Sequence, residues 1–227
     1  DAWLRGLAGG VVVTSAVLGS FYATGVKGLR WIDIAWPGQW DEIPKARSRY
    51  FSLQAALLLQ NTDFAGVELA LLSALEVDPR NYEATLFLAQ FRQYQQSFQQ
   101  SDAIFRRLMD DFPDRARTTA LVWHDALIMR QRYSELAALC LKMASTPSNL
   151  AASWVRSTIF ALRLDPRALE VLRQNASHVA ALPPSAGALF AAEELQRRET
   201  PAAAVALLHQ AGSGPLLPFL VVEYIEQ

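Results

Sequence analysis

Two patterns of apolar residues divide the chain. Residues 6–26, GLAGGVVVTSAVLGSFYATGV, contain no charged side chain, and as a helix these 21 residues would be roughly 31 Å long. That length matches the hydrocarbon core of a bilayer. After residue 45 apolar residues recur at helical spacing, and no stretch alternates apolar and polar positions long enough to predict a strand. The pattern predicts an all-α chain.

The uncharged stretch has the flanks of a transmembrane helix. Arg5 precedes it, and Lys27 and Arg30 follow it. Tryptophans, which favour membrane interfaces, stand on both sides at Trp3, Trp31, Trp36 and Trp40. Small residues, which let another membrane helix approach closely, recur at Gly6, Gly10, Ser15 and Gly19. We therefore expect a membrane anchor in residues 1–31; a buried helix of a soluble domain and a remnant of a signal peptide are the alternatives.

Beyond a Trp/Pro-rich connector at residues 32–45, which we expect at the membrane interface, prolines mark a repeat. Pro79, Pro113 and Pro147, in LEVDPRN, MDDFPDR and MASTPSN, are spaced by 34 residues, and each follows a helical pattern. A period of 34 is that of the tetratricopeptide repeat, in which each unit is a helical hairpin. The chain resembles this family, which implies an α-solenoid of stacked helix pairs over residues 46–227.

The resemblance can be followed position by position. With each proline as the 32nd position, units begin at Ser48, Tyr82 and Ala116. The places where the family packs one repeat on the next hold Leu71, Ala74, Leu75, Ala89, Phe105, Leu108, Trp123 and Leu139. Lys142 departs from the pattern, because that position is usually small. Further helical patterns predict hairpins at residues 149–182 and 185–212 and a final apolar helix at 216–227, which makes about five hairpins after one transmembrane helix.

Charge and chemistry-bearing residues exclude several functions. The 21 Lys and Arg balance 22 Asp and Glu, so no global field favours nucleic acid. Cys140 is the single cysteine, and we expect a buried, inert thiol. His124 with Asp125 is the nearest approach to a catalytic pair, yet adjacent residues on a helix point to different sides and no third partner is visible. The motif NAS at residues 175–177 is interpreted as ordinary helix. We expect no cofactor, metal or small-molecule substrate.

The family resemblance implies an inner groove lined by the first helix of each repeat. On this chain its polar positions are Arg49, Gln60, Glu83, Gln90, Gln93, Tyr94, Arg117 and His124. Members that grip a terminal carboxylate use Lys and Asn where this chain has Ser52 and Ala56, so that activity is not expected. An extended peptide or a protein surface remains as the occupant.

The expected function is a non-catalytic, membrane-anchored scaffold or accessory subunit that helps assemble a larger membrane protein complex. Its partners would be protein subunits and the lipid bilayer. The alternatives are a periplasmic, chaperone-like helper for exported proteins and, in another class, an enzyme whose catalytic part lies outside this chain. The cations after the span favour a cytoplasmic repeat domain. The architecture resembles periplasmic factors tethered to the bacterial inner membrane, and we expect that side.

Overall fold

A computed structural model describes residues 42–146, 150–197 and 201–210. The predicted anchor, its small and tryptophan contact residues, Pro147 and the predicted helix at 216–227 lie outside this range. Within it, the ordered elements are eleven α-helices and one turn of 3-10 helix, which confirms the all-α prediction. Among the described helices, none combines the length and apolar character that crossing a bilayer requires.

The chain divides into two compact units, with the boundary after Pro113. The described helices of the first unit are α1 (Glu42–Gln60), α2 (Phe64–Val77), α3 (Tyr82–Tyr94) and α4 (Phe98–Asp111). Those of the second are α5 (Ala116–Met129), α6 (Tyr133–Ala144), α7 (Ala151–Leu164), α8 (Ala168–Gln174), α9 (Ala176–Ala180), α10 (Pro184–Arg197) and α11 (Pro201–Gln210). Helix α1 begins inside the predicted connector, whose last four residues are therefore helical.

The helices form antiparallel pairs at the predicted period. In the first unit α1 pairs with α2 and α3 with α4. Helices α3 and α5 begin at Tyr82 and Ala116, 34 residues apart, at the predicted starts of two units. The turns after α1, α3 and α5 share one hydrogen-bond pattern, in which an N–H donates to the carbonyl five residues earlier, and each contains one left-handed residue. These residues are Thr62, Gln96 and Gln131, with φ of 59°, 60° and 56°.

A polar relay joins the first three helices. The Asn81 side chain accepts the N–H of Ala84 at 3.0 Å and so caps α3. The Asn81 amide also donates to the Ser48 hydroxyl at 2.7 Å, and Ser48 donates to the Ala74 carbonyl at 2.8 Å. Ser48 and Ala74 are both fully buried. The turn after α2 thus holds α1, α2 and α3 together around one core, which includes Ala55, Leu71 and Leu88.

The core confirms most predicted packing positions and explains the departure at Lys142. Seven of the eight are buried and Leu75 is half-buried. Helix α5 has 14 residues where α3 has 13, so α6 begins one residue later than a strict repeat requires. The packing position that usually holds a small residue is therefore occupied by Met143, which is 8% exposed, while Lys142 is exposed to solvent. The assignment of Lys142 to a packing position was wrong by one residue.

The second unit departs from the predicted pairing of its middle helices. Helix α7 packs most extensively on α6, and α8 contacts α6 more than α7, so α7 with α8–α9 is not the main hairpin. The predicted helix over 166–182 is broken at Asn175, whose side-chain amide donates to the Val171 carbonyl at 2.8 Å and caps α8. The pair α10–α11 forms as predicted. Pro184 begins α10, where its missing N–H costs nothing, instead of ending the element before it.

Candidate protein-binding surfaces

Helix α3 presents the clearest exposed stripe of predicted groove residues. Glu83, Gln90 and Tyr94 lie at spacings of seven and four residues, which brings them to one face of the helix, and all three are exposed. Tyr94 is the most prominent, with 59% of its surface accessible. Its ring centroid lies 5.4 Å from that of Phe64, which is 37% exposed at the start of α2. The stripe therefore ends in an aromatic pair on the hairpin surface.

Two further groove residues lie on α1. Arg49 and Gln60 are both exposed on α1, whose buried residues are Ala46, Ser48 and Ala55. The Arg49 guanidinium lies 3.8 Å from the Glu42 carboxylate, and its Nε donates to the Lys45 carbonyl at 3.3 Å. Both contacts are local to α1 and solvent-exposed, so they constrain the guanidinium weakly.

Gln93 does not belong to this exposed surface. Its side chain is 6% exposed, on the face of α3 that also carries the buried Ala89. Neither Nε2 nor Oε1 of Gln93 has a hydrogen-bond partner among the described residues. Position in the repeat placed this residue in the groove, but the burial of the side chain removes it from any surface that a partner could contact directly.

In the second unit the two remaining groove residues differ from each other. Arg117 is exposed on α5. His124 lies seven residues later, on the same face of α5, and only 16% of its side chain is accessible. The imidazole lies between two polar partners. Its Nδ1 lies 3.1 Å from Asp125 Oδ1, and its Nε2 lies 3.1 Å from Ser157 Oγ on α7. The ring also meets Trp154 edge-on, with centroids 5.5 Å apart.

This array has the order of a nucleophile, a base and a carboxylate. Since the carboxylate only accepts, His124 donates from Nδ1 to Asp125, and its Nε2 shares a hydrogen bond with the Ser157 hydroxyl. Nucleophilic catalysis also needs donors that stabilise the developing oxyanion. Ser157 lies inside α7, where the backbone N–H groups are used by the helix, and Asp125 is 76% exposed and so provides little electrostatic support. Ser157 was not predicted as a partner of His124, because 33 residues separate the two in the chain.

The Cys140 thiol is the last member of this array and forms a hydrogen bond with Ser157 inside the core. Cys140 is fully buried on α6, and burial raises the pKa of its thiol, an effect that a hydrogen bond with Ser157 partly offsets. A thiol with a raised pKa is protonated and unreactive. The array therefore connects α5, α6 and α7 through hydrogen bonds. Across the described ranges no group of His, Cys, Asp and Glu is arranged to hold a metal ion.

Comparisons with protein-family models, with curated proteins and with solved structures gave no match to this chain. The evidence for paired helices and for their period therefore comes from the sequence and the structure of this chain.

Proposed function

We propose that this chain is a non-catalytic, membrane-anchored scaffold or accessory subunit that binds protein subunits of a larger membrane complex through its helical hairpins. The observation that carries the proposal is the exposed stripe of Glu83, Gln90 and Tyr94 on α3. It combines a large aromatic side chain with a carboxylate and an amide, on a helix whose other residues are buried or half-buried. Aromatic residues surrounded by polar groups are typical of the energetic centre of protein interfaces.

The membrane part of the proposal rests on sequence. Residues 6–26 form an uncharged stretch of bilayer length, bounded by cations and tryptophans. Carbonate washing of native membranes tests it, because a spanning helix resists extraction and a peripheral protein does not. Replacing Val12 and Val17 by Arg should prevent stable insertion, since each central Arg costs roughly 2.5–3.5 kcal/mol on insertion scales.

The binding surface is tested by co-purification of the intact chain from native membranes. The triple variant Glu83→Ala, Gln90→Ala, Tyr94→Ala should lose its partner while remaining folded, with a loss of stability of only about 0.5–1.5 kcal/mol from the Tyr94–Phe64 ring contact, because all three side chains are exposed. A matched control removes three exposed side chains of α4 in the same unit, Gln99, Gln100 and Asp110. His124 is not a suitable test residue, because its substitution would also break the array with Ser157.

Three outcomes of that experiment lead to different conclusions. A stoichiometric membrane partner lost only from the α3 variant supports the scaffold. A scatter of unfolded clients supports the chaperone-like alternative. Equal recovery of the partner by the α3 and α4 variants would move the interface away from α3. The extracytoplasmic placement is tested separately, by fusing to residue 227 a reporter that is active only after export.

A further inference from the structure

Helix α1 carries an exposed stripe that changes from basic to apolar along its length. Lys45, Arg49, Leu53 and Leu57 follow one another at four-residue steps, which turn by only about 40° each and so keep all four on one side of the helix. The side chains of Lys45 and Arg49 are 53% and 62% exposed. Leu53 and Leu57 are 67% and 52% exposed. We call these four residues the α1 stripe.

The basic end of the α1 stripe consists of two exposed cations, Lys45 and Arg49. The carboxylate of Glu42 lies 2.8 Å from the Lys45 ammonium and 3.8 Å from the Arg49 guanidinium. Exposed ion pairs of this kind are weak, so both cations can also meet anionic groups of a partner. The apolar end places two leucines in water, while Ala55, on the opposite side of the same helix, is completely buried. A partner for the α1 stripe must therefore offer anionic groups next to apolar ones.

An anionic bilayer surface offers both groups in layers, with phosphates outside and acyl chains beneath. The chain also brings α1 to such a surface. Only 15 residues separate Val26, the end of the proposed span, from Glu42, and they can reach at most about 50 Å. Because a tether of that length keeps the local concentration of α1 at the bilayer high, a weak interfacial affinity suffices for occupancy.

We infer that the α1 stripe docks on the anionic surface of the bilayer that holds the chain, with Lys45 and Arg49 on lipid phosphates and Leu53 and Leu57 in the headgroup–acyl boundary. This inference rests on the proposed anchor. It gives Arg49 and Gln60 a lipid environment in place of the predicted protein contact, and it leaves the α3 stripe to protein partners.

The test uses the full chain reconstituted into vesicles, with an environment-sensitive fluorophore at position 60. Gln60 is exposed on the same side of α1 as the stripe, so Gln60→Cys leaves the four residues intact. The native Cys140 is buried and does not compete for the label. The matched control is Glu76→Cys, an exposed position on the outer face of α2. The vesicles are phosphatidylcholine, alone or with about one third phosphatidylserine, and carry a lipid-attached quencher.

We expect the probe at position 60 to be quenched severalfold more strongly than the probe at position 76, and more in the phosphatidylserine vesicles. The pair Lys45→Gln with Arg49→Gln should remove the dependence on phosphatidylserine, because the cations supply it. The pair Leu53→Asn with Leu57→Asn should reduce quenching in both vesicles. Equal quenching at positions 60 and 76, in a chain that resists carbonate extraction, would overturn the inference and leave the anchor standing. Release by carbonate would instead refute the anchor.

Discussion

Replacing Gln93 by Met should stabilise the protein. The Gln93 side chain is 6% exposed, and neither its donor nor its acceptor has a partner among the described residues. A buried polar group without a partner costs about 1–3 kcal/mol, and Met fills a similar volume without a polar amide. We expect the free energy of unfolding to rise by about 1–3 kcal/mol, with a melting temperature about 2–12 °C higher for a chain of this size. Urea denaturation of the full chain in mild detergent, followed by far-UV circular dichroism, measures the change.

The control lies three residues earlier on the same helix. Gln90 is exposed, so Gln90→Met should change stability by less than about 0.5 kcal/mol. A further variant, Gln93→Glu, keeps the shape and adds a charge. Burial would raise the folded-state pKa of that carboxyl above its unfolded value, so the folded protein would bind the extra proton and the variant would lose stability as pH rises from 4 towards 7. If Gln93→Met lowers the urea midpoint, the amide is hydrogen-bonded in the folded protein and the reasoning fails.

Three further predictions concern stability and use the same denaturation assay. Ala74→Trp should destabilise by about 1–3 kcal/mol or more because Ala74 is fully buried, and Glu76→Trp, on the exposed face of the same helix, should be nearly neutral; equal effects would contradict the packing described above. Thr62→Gly should stabilise by about 0.5–1 kcal/mol, since φ of 59° strains a β-branched residue by more than glycine loses in chain entropy, and a lower midpoint would refute it. Glu193→Gln should destabilise by about 1–3 kcal/mol, because the Glu193 carboxylate is only 4% exposed and lies 2.8 Å from the Arg163 guanidinium. Glu194 is more exposed, so Glu194→Gln should destabilise by less than about 0.5 kcal/mol, and the reverse order of the two effects would contradict the prediction.

The sequence was sufficient to predict the helical hairpins of the first unit. The prolines and the DPRN turn end one helix and cap the next, so local chemistry sets the boundaries. Tyr82 and Ala116 begin helices where the 34-residue period places them, and Leu71, Ala74 and Phe105 are buried as their positions required. These features depend on residues close together in the chain, which is why a single sequence revealed them.

The second unit was harder to predict because small local changes shift everything after them. One extra residue in α5 shifts the packing positions of α6 by one residue, and no residue of α5 predicts this insertion. At Asn175 the backbone leaves the helical range, with φ of −106° and ψ of 32°, and the side chain adds a second hydrogen bond to the Val171 carbonyl, which interrupts a helix that hydrophobic spacing alone would continue. The burial of Gln93 follows its place in the repeat, since the equivalent positions of the neighbouring units hold Leu59, which is half-buried, and Leu127, which is fully buried.

The candidate site shows a sequence signal that prolines did not provide. Ser48 meets Asn81, His124 meets Ser157, and Ser145 meets His178, and each pair is 33 residues apart. In a stack of hairpins, residues about one period apart lie on equivalent turns of successive helices, so polar side chains with that separation are placed to pair. Two of these contacts reach beyond Pro147, where the proline spacing fades. The repeat therefore continues into the second unit as a spacing of polar partners, and the third member of the His124 array was present in the sequence at that distance.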